Sequence, residues 1–253
     1  MFITKAPVEK SIELDHDIYL LKIFCPEISR IIKPGQFLNI RVSESIYPLL
    51  RRPFSVCDVE GDHFYLMFNI FGEGTRILSS KQKGDMIDVL GPLGNGFNIN
   101  DDFDTAVIVA GGLGAAPFPY FTRSLDTRKK LYTFIGGRTH KDIIKYGMKN
   151  VQISTDDGSE GFKGTIVQLL ENKFQSIEGK KLKIFGCGPN QMLSALKSFC
   201  VKNNIECEVS AECAMACGFG ICQGCPIEST VHPDTYSLVC KDGPIFNIKD
   251  IVI

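Results

Sequence analysis

Apolar and polar residues recur at two different periods along this chain, and the change of period divides it. In QFLNIRV, Leu38, Ile40 and Val42 fall on one face and Phe37, Asn39 and Arg41 on the other, the period of two that marks a strand. SIELD, IYLLKIF, FSVCDV, HFYLMFNI and MIDVL read as further short strands, set apart by the turn-forming KPGQ, VEGD and QKGD. Six short strands at near-regular spacing predict a small antiparallel barrel, with one short helix at GTRILSS. GPLGNGFNINDDFD, rich in glycine and aspartate, reads as the way out of this unit.

From Asp104 onward the pattern changes. TAVIVA is a continuous apolar run followed by a glycine loop and a helix-like segment. LYTFIGG, VQIST, KLKIFG and ECEVS read as strands, and GTIVQLLENKF and PNQMLSALKSFCVKN as helices. Strands alternating with helices predict a parallel sheet covered on both faces. The expected division is a β-barrel over 1–100, an α/β nucleotide-binding domain over 101–211 and a small cysteine-rich subdomain over 212–253.

Composition narrows the function classes. Of the 253 residues, 44% are hydrophobic and 23% charged, which suits a globular chain, and the net charge of −1 lacks the basic surplus of a nucleic-acid binder. No apolar run approaches the ~20 residues of a membrane helix. MFITKAPVEKSIELD carries charges where a signal peptide needs its apolar centre. These features place the chain in the cytoplasm, where thiols stay reduced. Ten cysteines then point to metal or redox chemistry. Cys25, Cys57 and Cys200 sit among apolar residues and read as buried thiols, and Cys207 as a sheet residue. His16, His63, His140 and His232 are isolated, and no acid–base dyad or nucleophile stands out.

Several loops could hold phosphates. Gly111, Gly112 and Gly114 directly follow an apolar strand and precede a helix, an arrangement that lets backbone approach a pyrophosphate. The usual dinucleotide fingerprint is incomplete, since Pro117 stands where its third glycine belongs and the next strand ends in Gly136, Gly137 and Arg138 rather than an acid. A plain strand–helix turn is the alternative. Cys187, Gly188 and Pro189 form a second glycine-bearing strand end, and STDDGS, with Asp156 and Asp157, a third. In a parallel sheet these ends face one crevice. In the barrel, Arg52, Pro53, Phe54 and Ser55 could offer a guanidinium and a hydroxyl to a bound cofactor. Asn69, Ile70, Phe71, Gly74 and Thr75 lie on a second glycine turn before the short helix.

Taken in order, the R-P-x-S of the barrel, G-G-x-G-x-x-P and C-G-P resemble the ferredoxin–NADP reductase superfamily. Adding ECAMACGFGICQGC, the chain is similar to the electron-transfer subunits of two-subunit, NAD-linked dihydroorotate dehydrogenases, over nearly its whole length. The resemblance implies FAD contacts at Arg52 to Ser55, Asn69 to Phe71, Gly74 and Thr75. It implies NAD(H) contacts at the glycine loop and at Cys187 to Pro189, with Cys187 near the nicotinamide. It further implies a separate FMN-containing catalytic subunit, in a heterotetramer with two of each chain. Arg138 leaves the choice between NAD and NADP open, and the resemblance favours NAD.

Cys217, Cys222 and Cys225 have the C-x4-C-x2-C spacing of plant-type [2Fe–2S] proteins, and Cys240 is a plausible fourth ligand on a returning strand. A four-thiolate zinc site is the main alternative, but such sites pair two C-x-x-C knuckles and only one is present. Cys213 is not needed by the spacing. Hydride from NADH brings two electrons and such a cluster takes one, so a flavin is expected between them. The competing readings are the small flavin subunit of an NADH-dependent ferredoxin–NADP reductase, where an aspartate replaces one cluster cysteine, and a zinc-stabilised binding module.

Overall fold

The computed structural model describes residues 1–15, 17–231 and 234–253. His16 and His232 lie outside them. Strands β1 (Phe2–Asp15), β2 (Ile18–Phe24), β3 (Phe37–Arg41), β4 (Arg52–Glu60), β5 (His63–Asn69) and β6 (Met86–Leu93) close into a barrel in the order β1-β2-β5-β4-β3-β6. Every neighbouring pair is antiparallel. Two short helices interrupt it, α1 (Pro26–Ser29) and α2 (Glu73–Ser79). Leu38, Ile40, Leu21, Ile23, Val56 and Leu66 fill the interior. β1 is far longer than the SIELD run suggested. Phe2–Pro7 pair with β6, Val8–Asp15 pair with β2, and a register shift between Val8 and Lys10 bends the strand from one partner to the other. Such a bulge lets one strand close a barrel. Pro7 hid this half from a period-two reading, since proline removes a ladder donor.

The second layer is a seven-stranded sheet formed by β7 (Thr105–Gly111), β8 (Lys130–Gly137), β9 (Val151–Thr155), β10 (Phe162–Lys163), β11 (Leu182–Cys187), β12 (Glu206–Ser210) and β15 (Ile245–Asn247). Its order is β10-β9-β8-β7-β11-β12-β15, parallel except for β15. Helices α3 (Phe118–Ser124), α4 (Ile166–Lys173) and α5 (Asn190–Lys202) cover it. The order reverses direction between β7 and β11, and a crevice opens at such a switch point. The tail adds a two-stranded sheet, β13 (Pro226–Glu228) with β14 (Tyr236–Leu238), before β15 joins β12.

Barrel and sheet share a core. Leu20, Tyr65 and Met67, on the outer face of the barrel, pack with Phe97, Phe118, Phe121 and Phe185. The Phe121 and Phe185 ring centres are 4.5 Å apart. Arg123 of α3 pairs with Asp58 of β4, and the Tyr120 hydroxyl donates to the Ile32 carbonyl at 3.0 Å. At the far end of the sheet, Lys183 is fully buried, 2.9 Å from Glu208 and 3.0 Å from Glu206, and also paired with Asp101. These three carboxylates converge on the lysine ammonium. Burial lowers the lysine pKa, but its hydrogen bonds to Asp101, Glu208 and Glu206 outweigh that and raise it. The stabilisation is therefore whole below about pH 10.4, the unfolded value, and is lost only as pH climbs through the raised one. Removing the cation leaves the buried Glu208 carboxylate without a counter-charge, although Asn98 still donates to both its oxygens. Lys183→Met is expected to lower unfolding stability by about 3–5 kcal/mol, read by denaturant titration at neutral pH. An unchanged midpoint would contradict this account of the cluster.

Candidate functional site

The crevice at the switch point is a cavity of about 700 Å³. Gly111, Gly112 and Gly114 line it at the end of β7, Gly136 and Arg138 at the end of β8, Asp156 after β9, and Gly188 and Pro189 after β11. Four strand ends far apart in sequence thus face one space, as parallel strands with buried runs require. β7 is buried from Thr105 to Ala110, so its glycines emerge at the carboxyl edge. Gly112 to Ala115 form a tight turn, with α3 starting only after Pro117. Gly114 is packed against β11: a Cβ there would stand 2.3 Å from the Cys187 carbonyl oxygen. Asp157 does not line the cavity; its carboxylate accepts from the Ser159 N–H at 2.8 Å, which is turn chemistry.

A second cavity, of about 230 Å³, lies where all three layers meet. Pro53, Phe54, Ser55, Asn69 and Thr75 line it from the barrel, Cys187 from the sheet, and Cys213 and Met215 from the tail. The Cys187 thiol is buried, and that burial pushes it well up, so it is a neutral contact group at ordinary pH. Thr75 serves α2: its hydroxyl accepts from the N–H groups of Phe71 and Gly72 at 2.9 and 3.2 Å. Arg52 lies over Gly74, and its Nη1 donates to the Leu50 carbonyl at 2.6 Å. Ile70 and Phe71 stay off this cavity, and Phe71 is exposed. Glu212 borders both cavities, with its carboxyl raised by burial. Sequence reasoning passed over it. No signal in the sequence marks it, because what places it there is the register of β12 on β11, with Ser210 opposite Cys187.

The remaining tail cysteines pack against β3 and β6, where Phe37, Leu90 and Leu93 meet Cys225 and Cys240. Left-handed backbone at Gly218, Gly220 and Gln223 folds residues 216–225 into a tight loop. Its N–H groups turn inward: Cys222 donates to the Cys217 sulfur at 3.5 Å, and Gly224 to the Cys222 sulfur at 3.4 Å. Burial alone would raise the Cys217 thiol, but backbone donors at Cys222, Phe219 and Ile221 bring it down to about 6. The sulfurs of Cys225 and Cys240, both buried, are 3.1 Å apart, and burial pushes Cys240 up to about 12. Cys222 is exposed. A tetrahedral zinc would gather four sulfurs at mutual distances of ~3.8 Å. Among the described residues no three cysteine sulfurs lie within 4.8 Å of one another. A donor set of four thiols, paired rather than gathered and met by backbone N–H groups, fits a two-iron cluster better than one zinc.

Comparison with known proteins agrees with this geometry. Residues 212–252 match the iron–sulfur cluster binding domain of dihydroorotate dehydrogenase B. Two curated relatives are both named dihydroorotate dehydrogenase B (NAD(+)), electron transfer subunit. That of Caldanaerobacter subterraneus subsp. tengcongensis is 36% identical over 87% of each chain, and that of Bacillus cereus strain G9842 is 34% identical over 95% of each. Among solved structures, the NADH-dependent reduced ferredoxin–NADP oxidoreductase superposes with a TM-score of 0.86 at 26% identity, over 98% of this chain and 89% of that one. A Neisseria gonorrhoeae ferredoxin NADP+ reductase with bound FAD and NADP gives 0.64 at 19%, over 79% and 91%, which speaks for the fold. Barrel, parallel sheet and cysteine tail occur here in one chain, and relatives above 30% identity run nearly end to end with it; the chain belongs to the family of dihydroorotate dehydrogenase B (NAD(+)) electron transfer subunits.

Proposed function

We propose that this chain takes electrons from NADH and delivers them to a catalytic partner subunit that interconverts dihydroorotate and orotate. The observation that carries the reading is the meeting of three layers at the smaller cavity, which shares Leu113 and Glu212 with the nucleotide crevice and is lined by Cys213 and Met215, which pack against Cys225 and Cys240. When bound, FAD would supply the chemistry of accepting two electrons as one hydride and releasing them singly, and a [2Fe–2S] cluster would carry them one at a time.

The rest of the work falls to the protein's own residues. Gly111, Gly112, Gly114, Gly188 and Pro189 would hold the nicotinamide nucleotide, with Asp156 at the far rim of the same crevice. Pro53, Phe54, Ser55, Asn69 and Thr75 would hold the flavin ring, and Arg52 with Gly74 its phosphates. Ile70 and Phe71 would extend that surface outside the cavity. The neutral Cys187 thiol and the adjoining Leu113 border the flavin cavity and exclude water where hydride passes. Cys217, Cys222, Cys225 and Cys240 would hold the cluster. Its exposed rim, with Ile221, Phe219 and Cys222, would face the partner.

No helix among the described residues is long and apolar enough to cross a membrane. The division into units at 1–100, 101–211 and 212–253 follows the three tasks, although β15 returns to the sheet. The partner would be the FMN-containing catalytic subunit, two of each chain forming a heterotetramer, in the cytoplasm. The test is co-expression with a candidate catalytic subunit, co-purification, and assay of NADH-dependent orotate reduction. The reading predicts a stable complex and turnover that needs both chains. A catalytic subunit that uses NADH equally well alone would contradict it.

A further inference from the structure

We infer that Asn39 is a positioning residue that fixes the loop of cluster ligand Cys217 against the flavin-binding barrel. The inference rests on the functional reading above. Asn39 sits on β3 with its neighbours Leu38 and Ile40 inside the barrel, so its side chain projects outward, toward the tail. It is nonetheless completely buried. A buried amide is costly unless it is hydrogen-bonded. Its Nδ2 donates to the Cys217 carbonyl at 3.2 Å, and its Oδ1 is buried without a partner.

The contact is close as well as polar. Gly218 follows Cys217 with φ +82, and a Cβ there would stand 2.6 Å from the Asn39 Nδ2. Glycine takes this left-handed turn freely and leaves the amide its place. On the other side, the Asn39 backbone pairs with Pro53 of β4, within the segment that carries Ser55. Its carbonyl accepts from Arg51, which also bridges to Asp88 at 2.8 Å. One residue therefore touches the ligand loop with its side chain and the flavin strand with its backbone.

Around this hydrogen bond the contact between the barrel strands and the cysteines is apolar: Phe37, Leu90 and Leu93 against Cys225, Leu238 and Cys240. Apolar burial is non-directional, so it resists separation but not sliding. A hydrogen bond with a preferred angle resists sliding too. Among the described residues, Asn39 to Cys217 is the one side-chain hydrogen bond joining the barrel to residues 216–225. The arm bearing Cys240 is tied separately, through Asn95 to Asp242 at 2.7 Å and Ile245 at 3.1 Å. Each arm of the ligand set thus has its own asparagine tie.

The test compares the intact holoprotein with Asn39→Leu, which keeps the volume, and Asn39→Asp, which keeps the shape but loses the donor. The readouts are the rate of iron release to a chelator, the electron paramagnetic resonance of the reduced cluster, and stopped-flow traces that separate flavin reduction by NADH from cluster reduction. Iron release is expected to rise roughly 10- to 100-fold, the scale for partners of metal ligands, and further with Asp than with Leu. The resonance should shift, and cluster reduction should slow while flavin reduction keeps its rate. If the Leu variant does not accumulate, Asn39→Ser carries the same expectation. A Leu variant with unchanged iron release and resonance would overturn the inference. So would equal slowing of both steps with loss of flavin, which would assign Asn39 to barrel stability. A wild-type protein without iron or flavin would instead sink the functional reading beneath it.

Discussion

Cys222→Ser is expected to cut electron delivery to the partner by roughly 100-fold or more while flavin reduction by NADH survives, because the loss of one ligand disables the last carrier and nothing before it. Cys222 is the exposed member of the set and lines neither the flavin cavity nor the nucleotide crevice. Its sulfur also accepts the Gly224 N–H, so the tight loop loses an internal tie with its ligand. Serine offers a harder donor to a site built of thiols. The variant should lose the visible absorbance of the cluster, keep that of the flavin, and reduce an artificial dye with NADH at close to the wild-type rate. Wild-type orotate reduction by the paired subunits would contradict the assignment.

Gly114→Ala should break the same path at its other end. A Cβ at this position would meet the Cys187 carbonyl oxygen at 2.3 Å, its carbon at 2.6 Å and the Gly188 Cα at 2.8 Å. All three are backbone atoms of β11 and its following turn, and none can swing aside. The glycine loop must then move away from β11, and with it the floor of the crevice. A displacement near 1 Å costs on the order of 100-fold in rate, so flavin reduction by NADH should fall by about that factor. Flavin content and dithionite reduction of the cluster should be unchanged. Gly61, in the turn between β4 and β5, supplies the control. It has open space around it and φ +56 and lines neither cavity, so Gly61→Ala incurs only left-handed strain, about 1–2 kcal/mol, and should leave flavin reduction unchanged. Equal activity in the Gly114 variant and the wild type would mean that nucleotide does not use this loop. Together the two variants cut the path at its start and its end, and their defects should be opposite in every partial assay.

Much of this arrangement was legible in the residues. IYLLKIF and ECEVS coincide with β2 and β12, since each is a short apolar run bounded by turns. The three glycine- and aspartate-bearing loops were placed at one crevice from the parallel-sheet pattern alone, and Asp156 does line it while Asp157 does not. What stayed hidden was long-range. QFLNIRV was read as a strand with one apolar face, yet Phe37 and Asn39 on the other face are buried as well. The tail that covers them lies some 180 positions away, as the Asn39–Cys217 contact shows. Glu212 was hidden for the same reason, because its two cavities exist only once β11 and β12 stand side by side. The first half of β1 escaped because Pro7 breaks the pattern, and β15 because its three residues show no period.

The most direct measurement is anaerobic purification followed by quantification of metals, sulfide and flavin together with the visible spectrum. The account predicts about two iron atoms with matching sulfide per chain, an equimolar FAD, and bleaching of both chromophores by NADH. Zinc bound by the four cysteines, or a chain with no flavin that NADH leaves unchanged, would contradict it.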